Sequence, residues 1–170
     1  MGVIDQLAYE VSEANWFQRL MWKVASSRPG SWAFSRTLHH VDRVTLRMSG
    51  GRVTVPSLLA GLPVITLATT GARSGKRREV PLVGVPHGDH LAVIGTSFGQ
   101  ARTPGWYFNL RAQPQAEVGY RNRTVAVTAR EAEGDERDEV WERGCQLYAG
   151  YQAYARRITG RQVHVMVLEG

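Results

Sequence analysis

The chain is expected to fold as a mainly β, α+β domain, an antiparallel sheet that closes on itself or sandwiches, with few helices. Three observations carry that expectation. From about residue 43 apolar residues recur with a period of two in short segments, as half-buried strands require. Gly, Pro, Asn and Asp separate those segments, which is turn chemistry. Only residues 3–25 and 135–159 hold a helical period over several turns. With 170 residues, 43% of them hydrophobic, the chain can bury one core without metal or disulfide support. It reads as a single domain over 1–170, with an N-terminal helical segment over 1–40 and the β-rich core over 41–170.

Val3, Ile4, Leu7, Val11, Phe17, Leu20, Met21 and Val24 fall at helical spacing, with Asp5, Glu10, Glu13, Gln18, Arg19 and Lys23 largely opposite. Residues 3–25 therefore form an amphipathic helix, ended near Pro29-Gly30. Mixed signs on its polar face suit a helix that covers the sheet or a neighbouring subunit. A bilayer surface favours Lys and Arg there, and peripheral membrane contact stays open as the alternative. Strands follow over 44–48, 52–55, 62–68, 79–85, 91–96, 116–120, 124–130 and 162–168. Pro86-His87-Gly88-Asp89 reads as a tight hairpin. Thr103 caps and Pro104 opens a short helix that runs to about Ala112 and stops before Pro114. The last helix spans 135–159, with Asp135, Glu136, Asp138 and Glu139 at its start, Arg156 and Arg157 at its end and Gly160 as its stop. Gly144 and Gly150 each weaken it by roughly 0.5 to 1 kcal/mol against Ala, so close packing or room for a ligand is expected near Gly150.

A formal charge of +6 calls for an anionic partner. Four cations fall within residues 73–78, whereas a nucleic-acid binder spreads them along a face with aromatics between, so no nucleic-acid partner is expected. Cys145 is the only cysteine, which excludes an intrachain disulfide and suits a cytoplasmic protein. Beside Leu147 and Tyr148 it reads as a small buried hydrophobe. No signal peptide or spanning helix is expected, because no run approaches ~18 apolar residues. His39, His40, His87, His90 and His164 form no metal-ligand pattern, so no metal is expected. Neither G-x-S-x-G nor G-x-G-x-x-G occurs, which removes support for a hydrolase triad and a nicotinamide fold.

The run Thr69-Thr70-Gly71-Ala72-Arg73-Ser74-Gly75-Lys76-Arg77-Arg78 follows the apolar segment 62–68. Its glycines permit a tight turn that presents N–H groups, its hydroxyls add donors, and Arg73 and Arg78 can grip phosphate or carboxylate. An anion cradle and a solvent-facing basic hairpin both fit these residues. Tyr148, Tyr151 and Tyr154 are three apart, so on one helix successive rings rotate by ~60° and share one wall. An aromatic core stripe and a pocket wall both fit that spacing, although three phenols in a dry core each need a hydrogen-bond partner.

Together with Pro104-Gly105-Trp106-Tyr107-Phe108-Asn109-Leu110 and the C-terminal tyrosines, the basic loop resembles the deazaflavin-dependent nitroreductases and quinone reductases that use reduced coenzyme F420. Their pattern is a TTG-x-x-SG-x-x-R loop after a strand, a P-x-W-Y-x-N-L helix start, and a late helix with tyrosines three apart. The resemblance covers roughly residues 40–168 and is specific only in combination. It implies a split β-barrel of the FMN-binding-like kind, with a C-terminal helix before the last strand. It also implies an F420H2-dependent oxidoreductase that passes a hydride to a quinone, enone or other electron-poor small molecule.

By the same resemblance Arg73, Ser74, Gly75, Lys76 and Arg78 hold the coenzyme's phosphate and acidic tail. Ser97, Phe98 and Gly99 approach the deazaflavin ring, and Trp106 and Asn109 flank it, Trp106 chiefly as a packing anchor. Tyr148, Tyr151 and Tyr154 line the acceptor side, one hydroxyl orienting or protonating the acceptor, with Tyr151 and Ser97 the leading catalytic candidates. Val83 and Phe98 stand where the best-known nitroreductases carry Tyr and Lys, which points away from nitroimidazoles toward a more apolar acceptor. An FMN-binding split-barrel oxidoreductase and a non-catalytic coenzyme-binding module remain as alternatives.

Overall fold

The computed structural model describes residues 2–11 and 61–170. The strands expected over 44–48 and 52–55, and residues 12–25 of the N-terminal helix, lie outside the described residues. Seven strands are described: β1 Val64–Thr70, β2 Arg77–Val83, β3 Val85–His87, β4 His90–Ile94, β5 Gln115–Tyr120, β6 Arg123–Glu131 and β7 Val165–Glu169. They form one sheet in the order β2-β1-β5-β6-β7-β4-β3, with every neighbouring pair antiparallel. β2 and β3 stand at opposite ends of that order, yet only Gly84 separates them in the chain. Three consecutive Cα atoms span about 7 Å at most, so the sheet rolls until its two edges meet.

The roll explains why the expected strand 79–85 divides at Gly84. A Cβ there would lie 2.6 Å from the Tyr9 hydroxyl. That hydroxyl donates to the carbonyls of Gly84 and Pro63, while the Gly84 amide donates to Pro63 O at 3.1 Å. Tyr9 thus pins the seam where the edges join. Burial in that seam pushes its phenol pKa up. The expected hairpin forms at Gly88-Asp89, where His87 faces His90 across the turn and Gly88 takes φ +55.

Strand alternation sends one set of side chains inward. Ile65, Leu67, Leu91, Val93, Val118, Val127, Met166 and Leu168 fill the inner face, joined by Val3 and Leu7 of α1 Val3–Leu7 and by Trp106, Tyr107 and Leu110 of α2 Gly105–Ala112. On the outer face of β3, β4 and β7, Val85, Ala92, Ile94, Val165 and Val167 are covered by α3 Gly134–Leu147 and α4 Gly150–Ala155. Burying a Leu or Val side chain contributes about 1.5 to 3 kcal/mol, so these two layers dominate the stability.

Three expectations about helices need correction. The N-terminal helix does not run on from residue 3 through residue 11, because Ala8 turns left-handed (φ 47) and closes α1 at Leu7. Val3 and Leu7 are buried against the sheet, so this part of the apolar face is already covered. Thr103 is not the cap of the short helix: Pro104, with φ −64 and ψ 143, occupies that position. The last helix is not continuous over 135–159, since Tyr148 is extended (φ −145, ψ 99) and divides it into α3 and α4. At the break the Tyr148 ring folds over Gly150, where any Cβ would strike it. Close packing, rather than room for a ligand, is therefore what glycine serves at Gly150. No helix among the described residues is long and apolar enough to cross a membrane.

An ion network ties α3 to the sheet. Arg130 of β6 donates to both carboxylate oxygens of Glu136, at 2.6 and 2.7 Å, and to Glu169 at 2.7 Å, with His87 Nε2 3.1 Å from Glu136. Hydrogen bonds from Arg130, more than burial can oppose, pull the Glu136 carboxyl from 4.5 down to about 2. A lowered carboxylate pKa stabilises the fold above the unfolded value and is lost as pH falls through the folded one. The melting temperature should therefore fall between pH 4.5 and 2, and Glu136→Gln should flatten that part of the profile. Arg130 is 44% exposed, so solvent screening limits the contribution to roughly 1 kcal/mol. An unaltered acid profile in the Glu136→Gln variant would exclude the network as its source.

Candidate functional site

The basic segment is a hairpin joining β1 to β2. Gly71 N donates to Lys76 O at 2.8 Å and Gly75 N to Gly71 O at 2.8 Å, and Gly75 takes φ +62, a region glycine enters freely. A Cβ at Gly71 would meet Ser74 Oγ at 2.6 Å and Lys76 O at 3.2 Å, so a side chain there would crowd the turn. Arg73, Ser74, Gly75, Lys76 and Arg78 are all exposed. Arg77 is committed to Glu117 at 2.7 Å and Glu79 at 3.0 Å. Among the described residues no ion pair involves Arg73, Lys76 or Arg78, so three cations face solvent with no carboxylate against them.

Asn109 of α2 anchors this turn. Its Oδ1 accepts from Ala72 N at 3.0 Å and its Nδ2 donates to Thr69 Oγ1 at 3.0 Å. Asn109 therefore holds the hairpin in place, and both ends of its amide are committed. One turn earlier on α2, Trp106 is 7% exposed and packs in the core. A methyl at Gly95 would touch its ring at 3.7 Å. The helix is thus a strut from the cationic hairpin to the loop after β4.

That loop is conformationally unusual. Ser97, Phe98 and Gly99 take φ of 48, 56 and 79. Two non-glycine residues in the left-handed region cost about 1 to 2 kcal/mol each, so surrounding contacts must hold them. Gly99 N donates to Thr96 O at 2.9 Å and Gln100 N to Ser97 O at 3.0 Å. The Phe98 ring stands edge-on to Tyr154, with centroids 6.0 Å apart. A Cβ at Gly99 would lie 3.2 Å from Tyr154 O, so the turn sits directly against α4.

The tyrosines meet, although not as a stripe on one helix. Tyr148 lies at the break while Tyr151 and Tyr154 lie on α4, and all three are buried at 6, 5 and 4% exposure. The Tyr148 and Tyr154 hydroxyls are 2.9 Å apart, one donating to the other. The Tyr148 and Tyr151 rings contact edge to face at 5.5 Å. Burial pushes the phenols of Tyr148 and Tyr151 well up, so they stay protonated at neutral pH and serve as donors, not bases. They pack with Ile94, Val140 and Val165, which makes them part of the outer core as well as neighbours of the Ser97 turn. Cys145 is half-buried in the same cluster and its thiol pKa is raised by burial, which keeps it unreactive.

Two groups beside this line carry no sequence signal. Glu131 lies 2.6 Å from His164 Nδ1 and accepts from the Tyr107 hydroxyl and Arg111. Burial works to raise Glu131, yet these hydrogen bonds, led by His164, lower its pKa. The His164 and Tyr107 rings stack at 4.0 Å. Arg161 reaches back to the carbonyls of the loop after β4. Among the described residues no group of three or more His, Cys, Asp or Glu is placed to hold a metal.

Asn109 joins α2 to the cationic hairpin, Trp106 of α2 lies close to Gly95 at the start of the loop after β4, and the left-handed turn of that loop packs against Tyr154. That donor set fits a long anionic coenzyme with a planar ring: exposed guanidinium and ammonium groups for phosphate and carboxylates, and a hydroxyl and aromatic rings for the ring end.

Comparison with known proteins agrees. An F420H(2)-dependent quinone reductase of Mycobacterium tuberculosis is 31% identical over 112 residues, covering 62% of this chain and 72% of that protein. A solved F420-H2 dependent reductase, FDR-A, is 36% identical and covers 63% of this chain and 94% of its own, with a TM-score of 0.58. A solved domain-swapped dimer is 30% identical, covers 83% of this chain and 99% of its own, and gives a TM-score of 0.60. The description of the F420H(2)-dependent quinone reductase family matches residues 38–170. The rolled antiparallel sheet is accordingly the split barrel of that group, and the chain belongs to the F420H(2)-dependent quinone reductase family.

Proposed function

We propose that the chain is an F420H2-dependent reductase that binds coenzyme from the hairpin to the tyrosines and passes a hydride to a quinone or another conjugated, electron-poor acceptor. The observation that carries this reading is the set of three exposed cations with no ion pair among the described residues, on a hairpin anchored by Asn109 of α2, together with a buried phenol cluster that packs against the Ser97 turn. Arg73, Lys76 and Arg78 would hold the phosphate and acidic tail. Ser97, Phe98 and Gly99 would bound the ring, with Trp106 fixing the loop from below. When bound, reduced coenzyme F420 supplies a two-electron hydride.

What the protein contributes is position and a proton. Tyr151 is 5% exposed and its hydroxyl makes no hydrogen bond among the described residues, so its O–H is available to an acceptor carbonyl. Tyr148 and Tyr154 share one hydrogen bond, one hydroxyl donating to the other, which orients the cluster. Phe98, 36% exposed, offers an apolar surface beside Tyr154, in keeping with an apolar acceptor.

Fluorescence titration with F420, FMN and nicotinamide dinucleotides, followed by menadione reduction, tests the reading. F420 should bind tightest, and menadione should be reduced only when F420H2 is supplied. Protein that purifies yellow with FMN, or binds FMN more tightly than F420, would overturn it. Ser97→Ala should lower turnover several-fold while leaving the coenzyme dissociation constant within about 3-fold, since a neutral hydrogen bond contributes about 0.5 to 1.5 kcal/mol. Equal steady-state rates for Ser97→Ala and wild type would reduce Ser97 to a loop residue.

A further inference from the structure

We propose that Arg161 is a positioning residue for coenzyme binding, clasping the loop 95–100 from both ends and so holding Ser97 and Phe98 in their left-handed turn beside the tyrosines. Its Nη1 donates to Gly95 O at 3.0 Å and its Nη2 to Thr96 O at 3.0 Å, both on the entering side of the turn. On the leaving side, Nε and Nη2 donate to Gln100 O at 3.2 and 3.1 Å. A guanidinium is planar and rigid, so acceptors bound to one fork are held at a fixed separation. Between those acceptors lie Ser97, Phe98 and Gly99 at φ 48, 56 and 79, two of them residues that avoid this region unless neighbours impose it.

The number of its partners distinguishes Arg161 among the described arginines: Arg123 and Arg143 each donate to a single carbonyl, that of Gln6 and that of Pro86. Arg77, Arg111, Arg121, Arg130 and Arg137 each meet a carboxylate. Among the described residues, Arg161 meets only carbonyl oxygens: those of Gly95, Thr96, Gln100 and Gln162. Its partial withdrawal from water lowers its pKa below the ordinary guanidinium value. A partly desolvated cation with no counter-ion among the described residues, and with most of its hydrogen bonds directed to one loop, is arranged to define that loop. The loop in turn touches α4, where Phe98 meets Tyr154 and Gly99 approaches Tyr154 O. Releasing the clasp therefore shifts the Ser97 hydroxyl, the Phe98 ring and the tyrosine cluster together.

This inference rests on the coenzyme-binding role given to the turn, and two separate readouts keep the two ideas apart. Amide hydrogen exchange on the coenzyme-free protein reads the clasp, and F420 fluorescence titration reads its consequence. Arg161→Gln should speed exchange at Gly99 and Gln100 and raise the F420 dissociation constant about 10-fold or more, the scale of lost charge-assisted hydrogen bonds. Phe98→Gly placed in the Arg161→Gln background should cost less affinity than it does in wild type, because glycine reaches φ > 0 without the clasp. Arg161→Lys keeps the charge but lacks the fork, and should show the same pattern more weakly. It also serves if the Gln variant does not fold.

Folded Arg161 variants with wild-type exchange at Gly99 and Gln100 would overturn the proposal. Faster exchange with unchanged F420 affinity would overturn it too, while leaving the F420 assignment standing. Wild-type protein that binds no F420 would instead sink the assigned function, with the exchange result still deciding whether Arg161 holds the turn.

Discussion

Alanine at Arg73, and separately at Arg78, raises the F420 dissociation constant at least ~10-fold, the loss expected for a charge-assisted hydrogen bond of roughly 1.5 to 3 kcal/mol. Both side chains are exposed and on a hairpin whose backbone hydrogen bonds close it without them, so melting temperatures should not move. The affinity loss shrinks as salt is added, because screening already weakens the wild-type contact when the Debye length falls to about 3 Å at 1 M. Arg77→Ala is the internal control. Arg77 spends its donors on Glu79 and Glu117, and its removal should weaken coenzyme binding much less. Unchanged dissociation constants for the Arg73 and Arg78 variants would return the segment to a basic hairpin facing solvent.

Tyr151→Phe keeps the ring and deletes the hydroxyl. If that O–H protonates the acceptor, kcat with menadione drops by ~10² to 10⁴, the usual contribution of a positioned acid, at unchanged F420 affinity. Orientation alone costs less. Tyr148→Phe and Tyr154→Phe differ in kind, since each removes the hydrogen bond of the 2.9 Å pair and so lowers stability by about 0.5 to 1.5 kcal/mol. The raised phenol pKa values add a check on stability. An acid whose folded pKa lies above its unfolded value stabilises fully below the unfolded value, near 10.0, and is lost as pH climbs past it. Alkaline unfolding should accordingly begin above about pH 10 and shift upward in the Tyr148→Phe variant. Rates unchanged with Phe at all three positions, alongside reduced melting temperatures, would make the tyrosines core alone.

The strands from residue 62 onward were readable because alternation is a local property. Leu91 and Val93 face in while Ala92 and Ile94 face out, and period two records that directly. The hairpin at Gly88-Asp89 and the turn at 71–76 were readable for the same reason, since glycine at φ > 0 is a local demand. The basic segment, the Trp106 and Asn109 helix and the late tyrosines were recognisable in combination, which pointed to the family that the comparisons then showed. The division of the last helix was not readable. Its charges and apolar residues continue the helical pattern through Tyr148, and what interrupts it is a ring folded onto Gly150, a packing event with no periodic trace.

By itself the sequence determined the antiparallel strands, their turns, the cluster of cations at 73–78 and the chemical kind of partner these imply. Each depends on residues within a few positions of one another, where backbone sterics and side-chain period act. Only the tertiary structure decided the closure of the sheet through Gly84, the joining of hairpin to helix by Asn109, and the clasp of Arg161 on a loop 61 to 66 residues earlier. It alone decided, too, that His164 meets Glu131 across 33 residues. Contacts at that separation are set by how the rolled sheet brings distant strand ends together. A hydrogen bond between them is directional and specific, yet neither partner carries any mark of the other in its own neighbourhood of the chain.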